Sequence, residues 1–330
     1  MKTTFTHSFE DITSLENLLA AWSEFVIGKR LRKDVLFFQS RLMDNLIELQ
    51  SDLANQRYTH GGYEPFMIND PKPRSIHKAS VRDRIVHRAI YRQLYPFFDR
   101  TFIADSFSCR VNKGTHKALA RFEKFGDGVS KNSTRTCWVL KCDIRKFFDS
   151  IDHHILLGIL ESRIADQRIL ELIRTVVKSY HKRPGVGLPL GNLTSQLLVN
   201  IYMNEFDQFV KHRLRAKYYV RYADDFILMS PDRSQLENWL SWIDTFLVNQ
   251  LRLNLHPDKV FIKTLASGVD FLGWVHFPGH RILRPTTKRR MLKRLSDNPT
   301  DEVIASYLGL LSHGQTYHLR HQIKTLEPHT

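Results

Sequence analysis

Apolar residues recur at three- and four-residue intervals through residues 14–26, at Leu15, Leu18, Leu19, Trp22, Phe25 and Val26, which predicts a helix capped by Ser14. A second helical rhythm spans residues 33–55 through Val35, Phe38, Leu42, Leu46 and Leu49. From Tyr63 to Lys78 the chain turns extended, with Pro71 and Pro73 resisting helix. Ser80 then caps a long helix, residues 81–98, with one apolar and one cationic face. Residues 107–116 read as a turn into a helix that starts after Gly114, and the Gly-, Ser-, Asn- and Thr-rich residues 126–135 predict a flexible hairpin tip. Cys137 to Leu140 form a buried-strand run with Asp143 emerging at its end, and Asp149 and Asp152 suit the start of the next helix. Helical patterns at 152–163 and 165–179 lead to a Pro- and Gly-dense loop, after which Asn192 or Thr194 opens an amphipathic helix. Two β-favouring runs in residues 218–230 then flank an Asp pair, predicting a hairpin with Asp224 and Asp225 at its tip. Beyond it come a helix at 234–250, a segment bending at His256-Pro257 into a strand that carries Lys259, a hairpin strand at 269–275, and helices at 301–312 and 317–324. There is no internal repeat.

The 330 residues, 42% of them apolar, suffice for a substantial core and for two or three subdomains. A formal net charge of +15 points to a polyanionic partner, nucleic acid before a membrane surface. No segment approaches the ~18 apolar residues that a spanning helix needs. The N-terminus has no basic region followed by an apolar one, so a cytoplasmic protein without a membrane partner is expected. Cys109, Cys137 and Cys142 lack paired metal-ligand spacing and are expected as reduced packing residues.

Charge also locates the candidate chemistry. Adjacent carboxylates repel unless a cation lies between them, and Mg²⁺ is the hard ion that carboxylates and substrate phosphates share. Taken alone, Asp224 and Asp225 are an ordinary turn and Asp143 an ordinary cap. Together they bracket a glycine-rich loop and an amphipathic helix. Around them Lys72, Arg74 and Lys78 alternate along an extended segment, Arg110 and Lys113 precede a helix, and Arg281, Arg284, Lys288, Arg289, Arg290, Lys293 and Arg294 form the densest basic run. The run from Lys29 to Lys33 reads equally as solvated surface or nucleic-acid contact. Acidic residues that hold metal beside cations that neutralise phosphate fit nucleotidyl transfer.

The ordered stretches Cys142-Asp143-Ile144-Arg145-Lys146-Phe147-Phe148, Gly187-Leu188-Pro189-Leu190-Gly191-Asn192-Leu193-Thr194-Ser195-Gln196, Tyr222-Ala223-Asp224-Asp225 and Phe271-Leu272-Gly273-Trp274 resemble the palm of a reverse transcriptase. Upstream, Arg74-Ser75-Ile76, residues 81–86 and Phe107-Ser108-Cys109-Arg110 resemble the fingers of intron-type bacterial enzymes. The resemblance implies an α+β, right-hand polymerase: an N-terminal helical extension at 1–56, fingers at 57–135, a palm at 136–280 made of an antiparallel sheet backed by helices, with fingers elements interleaved at 151–189, and a short basic helical thumb at 281–330. It implies RNA-directed DNA polymerisation with two Mg²⁺ ions, Mn²⁺ being the substitute ion. Asp143, Asp224 and Asp225 would be the ligands, joined by the Ile144 carbonyl, with Lys259 protonating the leaving pyrophosphate. It assigns deoxynucleotide (dNTP) binding to Arg74, Lys72, Lys78, Leu190, Gly191 and Gln196, with Phe148 as a gate against a 2′-hydroxyl. Template RNA and the RNA/cDNA duplex would meet Arg110, Lys113 and the basic run 281–294.

One departure narrows the resemblance. Most relatives carry Gln-Gly and then Ser-Pro in the central loop, whereas this chain has Leu190-Gly191 and then Ser195-Gln196. That version is similar to the reverse transcriptases of diversity-generating retroelements, which copy a template-repeat RNA with errors at adenine to diversify a target gene. Such enzymes work with an accessory variability protein, a small basic helical-bundle oligomer. The sequence shows no ribonuclease H, maturase or endonuclease pattern, so a minimal polymerase is expected. Retron, defence or intron-type enzymes are the nearest alternatives, and a catalytically idle RNA-binding scaffold is the more distant one.

Overall fold

The structure, a computed structural model, describes residues 4–69 and 73–324. It opens on a short helix absent from the periodicity, α1 (Phe9–Thr13), which Ser8 and Asp11 start with a reciprocal capping box. Ser14 caps α2 (Leu15–Phe25), as expected. The long second rhythm proves to be two helices, α3 (Lys33–Gln39) and α4 (Leu42–Ala54), separated where Arg41 leaves helical geometry. Asn45 spans the break by donating to the Phe38 carbonyl at 2.9 Å, and both helices thereby bury apolar residues.

The extended segment is the antiparallel hairpin β1 (Tyr63–Ile68) and β2 (Arg74–Ala79), followed by α5 (Val81–Asp99) with Ser80 accepting from the Asp83 N–H. Next, α6 (Thr115–Ser130) runs straight through the first half of the expected hairpin tip. Tertiary packing explains this correction: a Cβ on Gly126 would stand 2.9 Å from Leu265, and one on Gly128 3.3 Å from Tyr218, so these glycines permit close approach within a helix. Then follow β3 (Trp138–Asp143), a 3-10 turn (Phe147–Ser150), α7 (His153–Glu161), α8 (Gln167–Lys178) and α9 (Leu193–Gln208). Asp152 and Asp166 cap α7 and α8, and Asn192 occupies the cap position of α9.

The central hairpin is β4 (Tyr219–Tyr222) and β5 (Asp225–Ser230), which leaves only Ala223 and Asp224 in the turn; Asp225 belongs to the strand. After α10 (Arg233–Leu251), β6 (Phe261–Thr264) begins two residues beyond Lys259, so Lys259 lies in a turn and not on the strand. The single strand expected at 269–275 is a hairpin of β7 (Val269–Phe271) and β8 (Trp274–Phe277), reversed at Leu272 and Gly273, both of positive φ. The chain ends with β9 (His280–Leu283), α11 (Pro285–Asp297), α12 (Asp301–Leu311) and α13 (Tyr317–Lys324).

Two compact units share these elements. The first comprises Met1–Ile103, Ile144–Phe209 and Thr245–Asn254; in it α5 packs on α2 and α9. The second comprises Ala104–Asp143, Val210–Asp244 and Leu255–Thr330. Its four-stranded antiparallel sheet has the order β4-β5-β3-β6, and a three-stranded sheet has the order β7-β8-β9. Val139, Val220, Ile227 and Met229 from the larger sheet share one core with Ala118, Leu119, Phe122 and Phe125 of α6, with Phe271 and Trp274, and with Met291, Leu295 and Ile304 of α11 and α12. Among the described residues, no helix is long and apolar enough to cross a membrane.

Candidate active site

The β3 sequence buries its four middle residues, while Asp143 at its end stays partly accessible. In the antiparallel register Asp143 pairs directly with Asp225, the first residue of β5. Two like charges opposite each other on neighbouring strands repel. Each carboxylate is met by a lysine: the Lys259 ammonium donates to Asp143 Oδ1 at 2.6 Å, and Lys141 Nζ lies 3.4 Å from Asp225 Oδ2. Burial, opposed by the Lys141 ammonium and reinforced by the Asp224 and Asp143 carboxylates, pushes the Asp225 carboxyl up to about 7. Asp225 Oδ1 is buried without a hydrogen-bond partner.

Lys141 was not among the residues singled out in the sequence. Its signal is the strand period: two residues before Asp143, it stands on the same face of β3, diagonal to Asp225 across the ladder. Its side chain is 10% exposed, which is rare for a lysine unless the charge is paired.

The donors suit a hard divalent cation, since they are carboxylate oxygens and one is an unsatisfied Asp225 oxygen. Among the described residues no three His, Cys, Asp or Glu side chains close into a metal cage. An ion that keeps water and takes one or two carboxylates plus substrate phosphates needs no such cage. Asp143, Asp224 and Asp225 would hold it, at the cost of displacing Lys259 and Lys141. Ile144 follows Asp143 and is buried.

In the first unit, β2 and the loop before α9 form a separate cluster. His77 N–H donates to the Leu190 carbonyl at 3.1 Å, and Asn192 Nδ2 donates to the His77 carbonyl at 2.9 Å. This docks Leu190 and Gly191 on the strand that begins with Arg74, which is exposed. Gly191 has φ of +102°, and a Cβ there would stand 2.6 Å from Ile76 Cγ2, so only glycine fits. Lys78 is tied to Asp34 at 3.1 Å and to Glu64 at 3.4 Å. Gln196 lies in the first turn of α9, and Phe148 is half-buried, its carbonyl accepting from the Leu188 N–H at 2.8 Å. Lys72 lies outside the described residues.

The basic residues of the second unit fall into two groups. Arg110 donates to the Ser106 carbonyl and Lys113 to the Ala104 carbonyl, both within their own loop. Arg281, on β9, donates to the His313 carbonyl and stacks over Trp274, and Arg284 pairs with Asp270. Lys288, Arg289, Arg290, Lys293 and Arg294, by contrast, are exposed on α11, whose Met291 and Leu295 enter the core. Cys137 and Cys142 are buried, and burial raises both thiols; Cys109, expected as a packing residue, is exposed.

A family model described as "Reverse transcriptase (RNA-dependent DNA polymerase)" matches residues 69–276. Protein YkfC of Escherichia coli K12 is 26% identical over 309 residues, covering 80% of this chain and 78% of that protein. The group II intron-encoded protein LtrA of Lactococcus lactis is 25% identical over 275 residues, covering 62% of this chain but 45% of its own length. Among solved structures, telomerase from Candida albicans superimposes with a TM-score of 0.53 at 14% identity, over 73% of this chain and 49% of that one, a likeness of fold alone. The family match encloses Asp143, Asp224 and Asp225 and covers more than half of the 330 residues: the chain belongs to the reverse transcriptase family, RNA-directed DNA polymerases of right-hand fold that depend on a divalent metal.

Proposed function

We propose that this reverse transcriptase copies a template-repeat RNA into cDNA with frequent errors opposite adenine, as the enzymes of diversity-generating retroelements do. The observation that carries the reading is Leu190. Its carbonyl is held by β2 and its neighbour Gly191 is confined against Ile76, so the loop is fixed while the side chain offers no polar atom. A glutamine there would add hydrogen bonds beside a nascent base pair. Their absence lowers the penalty for a wrong pair by about 1–2 kcal/mol, roughly a tenfold change in selection.

Two Mg²⁺ ions held by Asp143, Asp224 and Asp225 would supply charge neutralisation at the attacking and leaving oxygens. Lys259, which donates to Asp143, would on release give a proton to the pyrophosphate, and Arg74 suits the bidentate grip of a phosphate. The exposed cations of α11 suit a nucleic-acid backbone, and an accessory helical-bundle protein completes the assembly, with the shared RNA offsetting repulsion between two basic proteins.

The test is the error spectrum of cDNA made by the purified chain on a defined, primed RNA. Wild type should misincorporate mainly opposite adenine, and Leu190→Gln should reduce those errors about tenfold. An unchanged spectrum in the variant sinks the reading. The match to LtrA favours an intron-type enzyme as the second reading, which requires uniformly low errors in the wild type.

A further inference from the structure

Arg221 is 0% exposed and among the largest fully buried side chains of the protein. A guanidinium loses its hydration there, so it must be matched by acceptors around its rigid fork of donors. Nη1 donates to the Ala223 carbonyl at 3.1 Å, and Nη2 donates to the Ser106 hydroxyl at 3.0 Å. The backbone of Arg221 is bound as firmly: its N–H donates to the Asp105 carbonyl at 3.0 Å, and its carbonyl accepts from the Phe107 N–H at 3.0 Å. Asp105–Phe107 therefore runs beside β4 as a parallel bridge.

That segment is itself anchored. The Asp105 carboxylate takes Lys211 at 3.1 Å and Arg121 at 3.3 Å, the latter from α6. At the other end, Ala223 has φ of +57°, a left-handed conformation unfavourable for a residue with a Cβ, and it immediately precedes Asp224. A turn of this kind persists only where its surroundings dictate it.

We infer that Arg221 is a positioning residue for the metal-binding turn: by gripping the Ala223 carbonyl and the Ser106 hydroxyl together, it holds Asp224 and the start of β5 in the geometry that binds metal. The role rests on these contacts and on the polymerase reading of the Asp224 turn, and is independent of Leu190 and of the template copied.

The experiment compares the 330-residue chain with Arg221→Lys, which keeps the charge but not the two-armed fork, and with Ser106→Ala, which removes one anchor at a fully buried position. Single-turnover dNTP incorporation on a primed RNA is normalised to active molecules by burst amplitude and measured across Mg²⁺ concentration. A second readout needs no activity: Tb³⁺ luminescence titration of the protein alone. Arg221→Lys should slow incorporation at least tenfold and Ser106→Ala about threefold. Both should raise the Mg²⁺ half-saturation and the Tb³⁺ dissociation constant severalfold, with KM for dNTP unchanged. Wild-type rate and metal affinity per active molecule in Ser106→Ala overturn the inference, even if its melting temperature falls, because a merely structural role would lower only the folded fraction. If Arg221→Lys does not fold, Ser106→Ala decides alone.

Discussion

The Lys259 ammonium donates to the Asp143 carboxylate at 2.6 Å, across 116 residues of chain. It thus occupies an oxygen that a cation held by Asp143 would need, while also being the candidate acid for the leaving group. These two roles pull in opposite directions. Lys259→Met should lower the maximal incorporation rate by about 10²-fold through loss of the acid, yet lower the Mg²⁺ concentration needed for half-saturation through loss of the competitor. Rate measurements across Mg²⁺ concentration separate the two, and a parallel loss of both rate and metal affinity would contradict this account.

Lys141→Met leaves the buried Asp225 carboxylate without its cation. Because that carboxyl is already raised to about 7, at neutral pH it takes up a proton in place of the lost charge, so the cost should stay under about 1 kcal/mol at pH 7 and grow as the pH rises. Added Mg²⁺ should then restore more stability to the variant than it adds to wild type, since the ion replaces the missing charge. Urea midpoints with and without Mg²⁺ check this; equal gains in both proteins would show that Asp225 does not meet the ion.

Burial holds the His87 and His276 imidazoles down to about 3, well below their ordinary 6.5. The unfolded chain binds protons at these groups before the folded one does, so stability is full above pH 6.5 and falls as pH drops from 6.5 toward 3. At pH 5 the loss should be about 2 kcal/mol per histidine. Denaturation at pH 7.5 and pH 5 measures it. The Asp225 carboxyl, raised to about 7, works the other way over this range, so the histidine share is read as a difference: His276→Phe, a ring among Phe122 and Phe271, should lose about 2 kcal/mol less than wild type between pH 7.5 and pH 5.

Substituting Gly191 tests the docking of its loop on β2. Gly191→Ala forces both a strained φ and a clash with Ile76, which should cost about 1–3 kcal/mol locally and raise KM for dNTP while the protein stays folded. Wild-type KM in a folded variant would separate this loop from nucleotide binding.

Lys288, Arg289 and Lys293 stand exposed on α11. Replacing all of them with Gln should weaken binding of an RNA/DNA duplex and lower the slope of log affinity against log salt by about 0.7–0.9 for each phosphate no longer neutralised. An unaltered slope in a filter-binding or anisotropy titration would remove α11 from the nucleic-acid surface.

What lay open in the sequence was whatever depends on near neighbours. Ser14 and Ser80 mark helix starts because a hydroxyl two or three residues away satisfies a free N–H, and the apolar periods of α2 and α5 follow from which face must leave water. The order of motifs around Asp143, Asp224 and Asp225 likewise disclosed the polymerase, because a carboxylate at a strand end or turn is a local pattern. Only the tertiary structure decided what those carboxylates meet. Lys141, Lys259 and the buried Arg221 acquire their partners from strand register and from loops distant in sequence, and a lysine or arginine in a string of letters carries no sign of whether it will be desolvated. Gly126 and Gly128 misled for the same reason: a glycine that reads as a loop in isolation is, inside α6, the space into which Leu265 and Tyr218 pack.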